Sequence, residues 1–375
     1  NVIDAAGYVR LEKIQDGFAG INYGESIYAS IHSQDPKVLI MGTESSRYLS
    51  GSSPTYFWVR DNAYVVGHHI WTGVDYLGEG PTLGSQSGYL DGCCFRKATF
   101  YYLQAQWSES PMVHVAIGTG TSNGSALTED WNQSGSVGVV TYTNCDSVDL
   151  YVNTTKIGTK KLSDFTSNWI MQWTNVPWSS GTIKAIGMKG GRQAAIDSIT
   201  TAGAAAKVVL KPDHTTLYAD GHDVSCIEVD IEDASNNLVF SATNTVSFTM
   251  TGPGRNLGIA SGNWTSAEPF KATSRAAYHG KALIVIQSTM DTGTINVTVN
   301  SGTLTPASLT LSTVAQQINT VVRPTPLINA LGEGARLFTC TQKLTNKNIR
   351  VMYRVDVPGT INLSVISSSG RMLKC

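Results

Sequence analysis

Two short segments near the start of the chain carry the residue types best suited to chemistry. Lys37–Ser46 (KVLIMGTESS) is an apolar run of strand length that ends in a lone carboxylate, Glu44, among small residues. His69–Glu79 (HIWTGVDYLGE) is an apolar stretch that ends in Trp71 and opens into a Gly- and acid-rich loop. A strand buried in a parallel sheet reads as a near-continuous apolar run. In α/β barrels the reacting groups stand just past the C-terminal ends of such strands. A carboxylate at one strand end and an aromatic platform at the next is what sugar chemistry needs. Local sequence leaves plainer readings open: a carboxylate also favours a helix N-terminus, and Trp71 could be ordinary core. Asp75 and Glu79 in the following loop suit a pocket lining, a cation or plain solvation. His68 and His69 are adjacent in a strand and point to opposite faces. They would not share one ion, so no metal site is expected.

The elements that must position these residues read as alternating strands and helices up to about residue 107. Gly17–Tyr23 is a short apolar strand, and Glu25–His32 has helical spacing and leads to Pro36. The strand Lys37–Met41 follows, then Asp61–Trp71 as a strand with its lead-in, then Phe95–Trp107 as an aromatic-rich amphipathic helix. This order implies a parallel sheet. A closed (β/α)8 barrel takes about 250 residues, so three strands suit either a small open layer or a chain that starts inside a barrel.

After Ser108 the pattern becomes that of short β-branched or alternating strands: Val137–Thr143, Val148–Val152 and Thr182–Met188, then a turn at Lys189–Gly191. Such spacing suggests a β-sandwich. Thr201–Ala206 reads as a linker. A second sandwich runs from Lys207 to about Thr313, with strands at Lys207–Leu210, Ser225–Ile231, Thr245–Met250, Ala282–Gln287 and Thr294–Val299. The remainder, with Arg350–Val355 and Ile361–Ile366, reads as a small β-module.

Bulk properties narrow the function classes. The formal net charge is -1 and only 15% of the 375 residues are charged. Neither an anionic membrane nor a nucleic acid has an electrostatic case, and no apolar run approaches the roughly 20 residues of a membrane helix. The Ser-, Thr-, Gly- and Asn-rich balance suits an extracellular or periplasmic β-rich protein. The six cysteines, Cys93, Cys94, Cys145, Cys226, Cys340 and Cys375, fit no zinc spacing. They read as small buried apolar residues, with a Cys340–Cys375 disulfide conceivable.

The ordered motifs carry a family likeness. From about residue 16 to about residue 300 the chain resembles the C-terminal half of family 2 glycoside hydrolases, in particular the bacterial β-galactosidase-like members. Gly20–Tyr23 corresponds to barrel strand six, Gly42–Ser46 to strand seven and Ile70–Glu79 to strand eight. Tyr142–Cys145 with Val148–Asn153 matches the β-module after the barrel. Asp213–Asp220, Gly252–Gly254 and Gln287–Thr289 match an immunoglobulin-like domain. The resemblance implies a multidomain α/β plus all-β chain. Residues 1–107 would be the C-terminal part of a TIM (β/α)8 barrel and 108–203 a small β-sandwich module. Residues 204–315 would be a bacterial immunoglobulin-like domain and 316–375 a small β-rich module.

It also implies a retaining glycosidase acting on oligo- or polysaccharides with terminal β-linked sugars. Glu44 corresponds to the nucleophile, Tyr23 to the tyrosine that orients it and Trp71 to the platform under the sugar. Asn22 and Asp75 fall at second-shell or rim positions. No cofactor is required, and a structural cation is conceivable. The family's acid/base glutamate follows an Asn, and no Asn-Glu dipeptide precedes Glu44. The chain is therefore expected to be a piece of a larger enzyme whose N-terminal half supplies that group, with a homo-oligomer possible. The rivals are a non-catalytic carbohydrate-binding or surface fragment, and β-mannosidase or β-glucuronidase specificity. For a glucuronidase, Arg47 and Arg60 are the nearby cations.

Overall fold

The computed structural model describes residues 17–46, 55–78, 84–118, 127–164 and 169–315, and the backbone of four short strands beyond residue 340. The chain divides into two compact units, Asn1–Ala315 and Gln316–Cys375.

The first unit opens with an α/β layer. Strands β1 (Phe18–Asn22), β2 (Leu39–Ser46) and β3 (Val65–Trp71) form a parallel sheet in that order. A 3-10 turn at Glu25–Ile27 and helix α1 (Tyr28–Gln34) join β1 to β2, and α2 (Thr55–Asp61) leads into β3. Helix α1 stops at Gln34 because Asp35 takes the extended conformation that a following proline favours. Ala19, Ile21, Val38, Ile40 and Val65 close a small core with Tyr28 and Ile31. On this sheet Phe18, Leu39 and Val66 remain 44–45% exposed. The three described strands make an open layer, and a barrel is not formed within them.

A two-stranded ribbon, β4 (Tyr76–Leu77) with β5 (Gly84–Ser85), follows β3. The helix expected from Phe95 is α3 (Phe100–Trp107) and starts five residues later. Asp91 Oδ1 accepts the N–H groups of Cys93 and Phe95 at 2.8 and 2.9 Å, and Leu90 bridges Arg96. Those bonds hold the segment as a loop.

Two β-sandwich-like modules complete the unit. In the first, β6 (Val113–Ile117), β7 (Ser136–Thr143) and β10 (Ile170–Pro177) face β8 (Ser147–Val152), β9 (Thr155–Lys161), β11 (Thr182–Lys189) and β12 (Arg192–Thr200). Val115, Trp131, Val139, Leu150, Met171 and Ile183 fill the space between. Strand β7 is buried throughout its second half, on both faces. Val139 enters the sandwich core, while Val140 and Tyr142 pack with Tyr89 and Tyr102 of the α/β layer.

In the second, β13 (Ala205–Pro212), β15 (Val224–Asp233), β19 (Lys281–Ser288) and β17 (Gly254–Ala260) pack on a five-stranded sheet. That sheet holds β14 (Thr216–Tyr218), β16 (Thr245–Thr251), β18 (Ser274–Ala276), β20 (Gly293–Asn300) and β21 (Ala307–Val314). The linker between the modules is pinned: Asn132 Nδ2 donates to the Ala202 carbonyl, and Gly203 N–H donates to Asp233. Hydrogen bonds from Asn237, Gly203 and Ser235 hold the Asp233 carboxyl down to about 2. The second unit contains two short antiparallel pairs, β22 (Thr341–Thr345) with β23 (Asn348–Met352) and β24 (Val365–Ile366) with β25 (Met372–Leu373).

Four cysteines are described, all free thiols. Cys93 and Cys145 are buried as expected, but Cys94 is exposed and Cys226 half-buried. Burial pushes the Cys93 thiol up to about 12. Cys340 and Cys375 lie outside the described side chains.

One buried polar cluster ties the first sandwich together. His114 on β6 is 6% exposed. Its Nδ1 stands 2.9 Å from Asp197 Oδ2 on β12, its Nε2 stands 3.1 Å from Glu129 Oε1, and its ring stacks on Tyr101 at 3.5 Å. Burial opposes the imidazolium, but the two carboxylates outweigh it and raise the His114 pKa. Asp197 is likewise lowered, its bonds to His114 and Val115 N–H overcoming burial. His114→Gln should cost about 3 kcal/mol of unfolding free energy, as when one member of a buried pair is removed. The imidazolium contributes fully below its unfolded value of about 6.5, and that contribution is lost as pH rises through the raised folded value. Urea unfolding of both proteins across this range should show the gap shrinking at high pH. A gap that is flat with pH would contradict the charge assignment.

Candidate active site

The site is made by an irregularity in strand pairing. β1 and β2 run in register from Phe18↔Leu39 to Ile21↔Gly42, then slip, so that Asn22 pairs with Glu44 and Thr43 is skipped. Side chains alternate faces along a strand. Val38, Ile40 and Gly42 are all buried, and strict alternation would put Glu44 on their side. The bulge re-aims Glu44 to the face of Asn22, and Ser45 takes the buried place instead. Bulges are rare in parallel pairs and over-represented beside active sites.

The carboxylate is then held. Asn22 Nδ2 donates to Glu44 Oε2 at 2.6 Å, and Thr43 Oγ1 donates to Asn22 Oδ1 at 2.7 Å. Because Thr43 occupies the amide oxygen, the Asn22 NH2 is the end presented to Glu44. A Cβ at Gly20 would stand 2.8 Å from Thr43 Cγ2, so the glycine leaves the space that Thr43 occupies.

Tyr23 adds a second grip. Its backbone N–H donates to the Glu44 carbonyl at 2.6 Å, and its hydroxyl lies close enough to the Glu44 carboxylate to feel its charge. Burial and the negative charge of Glu44 raise the Tyr23 hydroxyl, so it stays protonated. Tyr23 adopts φ 49°, a left-handed conformation that bulky side chains avoid. Strain of this kind costs about 1 kcal/mol or more and persists where neighbouring contacts enforce it.

Trp71 ends β3 opposite Ser46 and is 42% exposed. Its ring meets Tyr76 edge to face, with centroids 5.7 Å apart at 67°. Tyr76 in turn lies close enough to Tyr23 to act on its hydroxyl electrostatically. Asn22, Tyr23 and Glu44 are thus brought together, with Trp71 at the end of the next strand.

For Asp75 the expectation is a second-shell or rim position. It is buried, and its carboxylate receives Lys97 Nζ at 3.0 and 3.1 Å and Gly88 N–H at 2.7 Å. It anchors the loop after β3 to the segment leading into α3. Arg60 is paired with Asp61, its Nη2 donating at 2.7 Å, and lies over the Phe57 ring. Glu79 and Arg47 lie outside the described residues. Burial lowers the His68 pKa, and His69 is exposed. Among the described residues no group of three or more His, Cys, Asp or Glu is arranged to hold a metal ion, and no helix is long and apolar enough to cross a membrane.

Sequence reasoning missed Thr43 and Tyr76. Alternation separates Thr43 from both Glu44 and the residue before it, so only the bulge reveals that it shares their network. Tyr76 sits in a loop motif with nothing local to mark it.

The protein comparisons bear on this geometry. Residues 208–310 match the glycoside hydrolase family 2 C-terminal domain 5, and residues 134–195 match a domain of unknown function (DUF4982). The chain is 34% identical over 259 residues to the β-galactosidase BoGH2A of Bacteroides ovatus, covering 68% of this chain and 29% of that protein. The chain belongs to glycoside hydrolase family 2. A solved structure of a family 2 member from Bacteroides cellulosilyticus matches with a TM-score of 0.71 at 27% identity, over 79% of this chain and 42% of that one. A β-glucuronidase of Formosa agariphila is 29% identical over 240 residues, covering 62% of this chain and 22% of that protein. This family 2 chain therefore spans less than a third of the length of these curated relatives. Both family-matched segments lie C-terminal to the Glu44 cluster and coincide with the two sandwich-like modules.

Proposed function

We propose that this chain belongs to a retaining β-glycosidase of the β-galactosidase kind, with Glu44 as its nucleophile. The observation that carries this reading is the strand-end carboxylate turned out by a bulge and held by Asn22, with Tyr23 N–H on the Glu44 carbonyl. Trp71 stands half-exposed at the neighbouring strand end, as a platform for the apolar face of a sugar.

In the first step Glu44 attacks the anomeric carbon and forms a glycosyl ester, while a second carboxyl group protonates the departing glycosidic oxygen. In the second step that group takes a proton from water, and the water displaces Glu44. The two carboxyl groups of such an enzyme lie about 5–5.5 Å apart. We assign the acid/base carboxyl to the N-terminal part of the same enzyme, which would pair with the edges of β1 and β3 that no described strand covers and complete a (β/α)8 barrel. Unpaired strand edges invite such pairing. The sandwich modules, the second with an immunoglobulin-like role, would buttress that barrel or serve a homo-oligomer. The low charge density and Ser/Thr/Asn-rich surface suit a secreted or periplasmic enzyme. The β-galactosidase relative at 34% identity favours galactosides over glucuronides.

Incubation of the full-length enzyme with a 2-deoxy-2-fluoro-β-galactoside, which forms the ester and hydrolyses it slowly, tests the assignment. Peptide mass mapping should find the sugar on the peptide containing Glu44. A label on another carboxylate would overturn the assignment.

A further inference from the structure

We infer that Cys94 and Cys226 form a dithiol that closes a disulfide between the loop before α3 and the second sandwich when the protein meets a disulfide oxidant.

The loop lies on the outer face of that sandwich. Ile227 and Val229 of β15 point into the core, so Cys226, Glu228 and Asp230 share the opposite face. Lys281 on β19 reaches across this face, bonded to Glu228 and standing 3.2 Å from Asp230 Oδ1. The same ammonium lies 5.3 Å from the centroid of the Phe95 ring, so Phe95 rests over the face. Cys94 directly precedes Phe95, and Cys226 neighbours Glu228 along the face. On the other side of Cys94, a Cβ at Gly262 would stand 1.9 Å from Asp91 Oδ2, so the start of the loop is seated on the second sandwich too. Cys94 is thus carried between two anchored contacts. Burial, the Asp213 carboxylate and Cys94 all raise the Cys226 pKa, which agrees with two sulfurs in electrostatic reach of each other.

The loop is fixed before any bond forms. Asp91 Oδ1 accepts the N–H groups of Cys93 and Phe95, and the Asp91 carbonyl accepts that of Cys94 at 2.9 Å. Cys94 holds φ 63°, a left-handed conformation uncommon for a cysteine. Little chain freedom is left for closure to remove. The other described thiols are poor partners. Cys93 is buried and its thiol is pushed up to about 12. Cys145 is buried against the Met112 carbonyl, 3.6 Å from its Sγ. Cys94 is exposed and Cys226 half-buried, so an oxidant reaches Cys94 first.

The oxidant is a small-molecule or protein disulfide. The Cys94 thiolate attacks one of its sulfurs, a mixed disulfide forms, the old S–S bond breaks and one thiolate leaves. Cys226 gives its proton to water, attacks Cys94 Sγ and expels the second thiolate. The cysteine pair is oxidised by two electrons, and the oxidant is reduced to two thiols. Disulfides persist where the proposed enzyme would work, in the periplasm or outside the cell. This one would tie the second sandwich to the segment whose Lys97 holds Asp75, in the loop after Trp71.

The full-length enzyme and its Cys94→Ser variant should be incubated, folded, with oxidised glutathione, then alkylated in denaturant and digested without reductant. In the parent, mass mapping should find the Cys94 and Cys226 peptides joined, at their summed mass less two hydrogen atoms, and separated by reductant. In the variant Cys226 should be recovered without that link. Oxidation should raise the unfolding midpoint of the parent by about 5 °C and leave the variant unmoved, since a cross-link over so long a loop constrains the unfolded chain. Recovery of Cys94 and Cys226 both alkylated, or of Cys94 joined only to glutathione, to another cysteine or to a second molecule, would overturn the inference. A link that forms only after unfolding would do the same.

Discussion

Glu44→Gln in the full-length enzyme should lower kcat for galactoside hydrolysis by at least about 10⁴-fold, with KM little changed. Losses of that order or larger follow removal of a nucleophile that acts as one unit with its partners. The amide preserves the shape of the side chain and keeps one oxygen for Asn22 Nδ2, but it has no charge with which to attack. Glu44 forms no ion pair among the described residues, so the melting temperature should move little. A Glu44→Ala variant should regain turnover in added azide, which can enter the vacated volume and attack from the same side. The glycosyl azide so formed would have inverted configuration. Retention of more than about one-hundredth of the parental kcat by the Gln variant would sink the nucleophile assignment.

Asn22→Ala should lower kcat by about 10²-fold, the scale on which a preorganised donor acts. The 2.6 Å bond to Glu44 Oε2 is lost, and Thr43 loses its acceptor. Asn22 acts here as a positioning residue. In the Glu44→Gln background the same substitution should therefore cost little more, because groups acting as one unit are not additive. A merely structural role predicts the opposite: equal losses in both backgrounds, with a lowered melting temperature. Steady-state kinetics of the single and double variants distinguish the two.

Much of the architecture is legible in local pattern. Val148–Val152 alternates and forms β8 with its odd residues half-buried and its even ones buried. Thr182–Met188 alternates and becomes β11, and the turn residues Gly190 and Gly191 both take positive φ. Other strands were not evident. Thr155–Lys161 carries a single apolar side chain, Ile157, too little for a period to show, and its pairing with β8 is a tertiary contact. Val113–Ile117 is buried on every residue and short, so periodicity is silent there. Helix α3 began late because Asp91 satisfied backbone donors locally and competed with the helix.

The sequence by itself determined that a carboxylate ends one parallel strand and a tryptophan the next, and that β-rich modules follow. These properties reside in residue type and spacing along a single segment. Only the tertiary structure decided which way Glu44 points. A period of two assigns it to the buried side with Ile40, and the slip against β1 reverses that assignment. The slip depends on which residue of a neighbouring strand, twenty-two positions away in the chain, accepts the pairing. For the same reason Asp75 became an anchor: the ammonium that claims it belongs to Lys97, a loop and a ribbon later. Contacts between distant segments are set by packing, and no pattern within either segment encodes them.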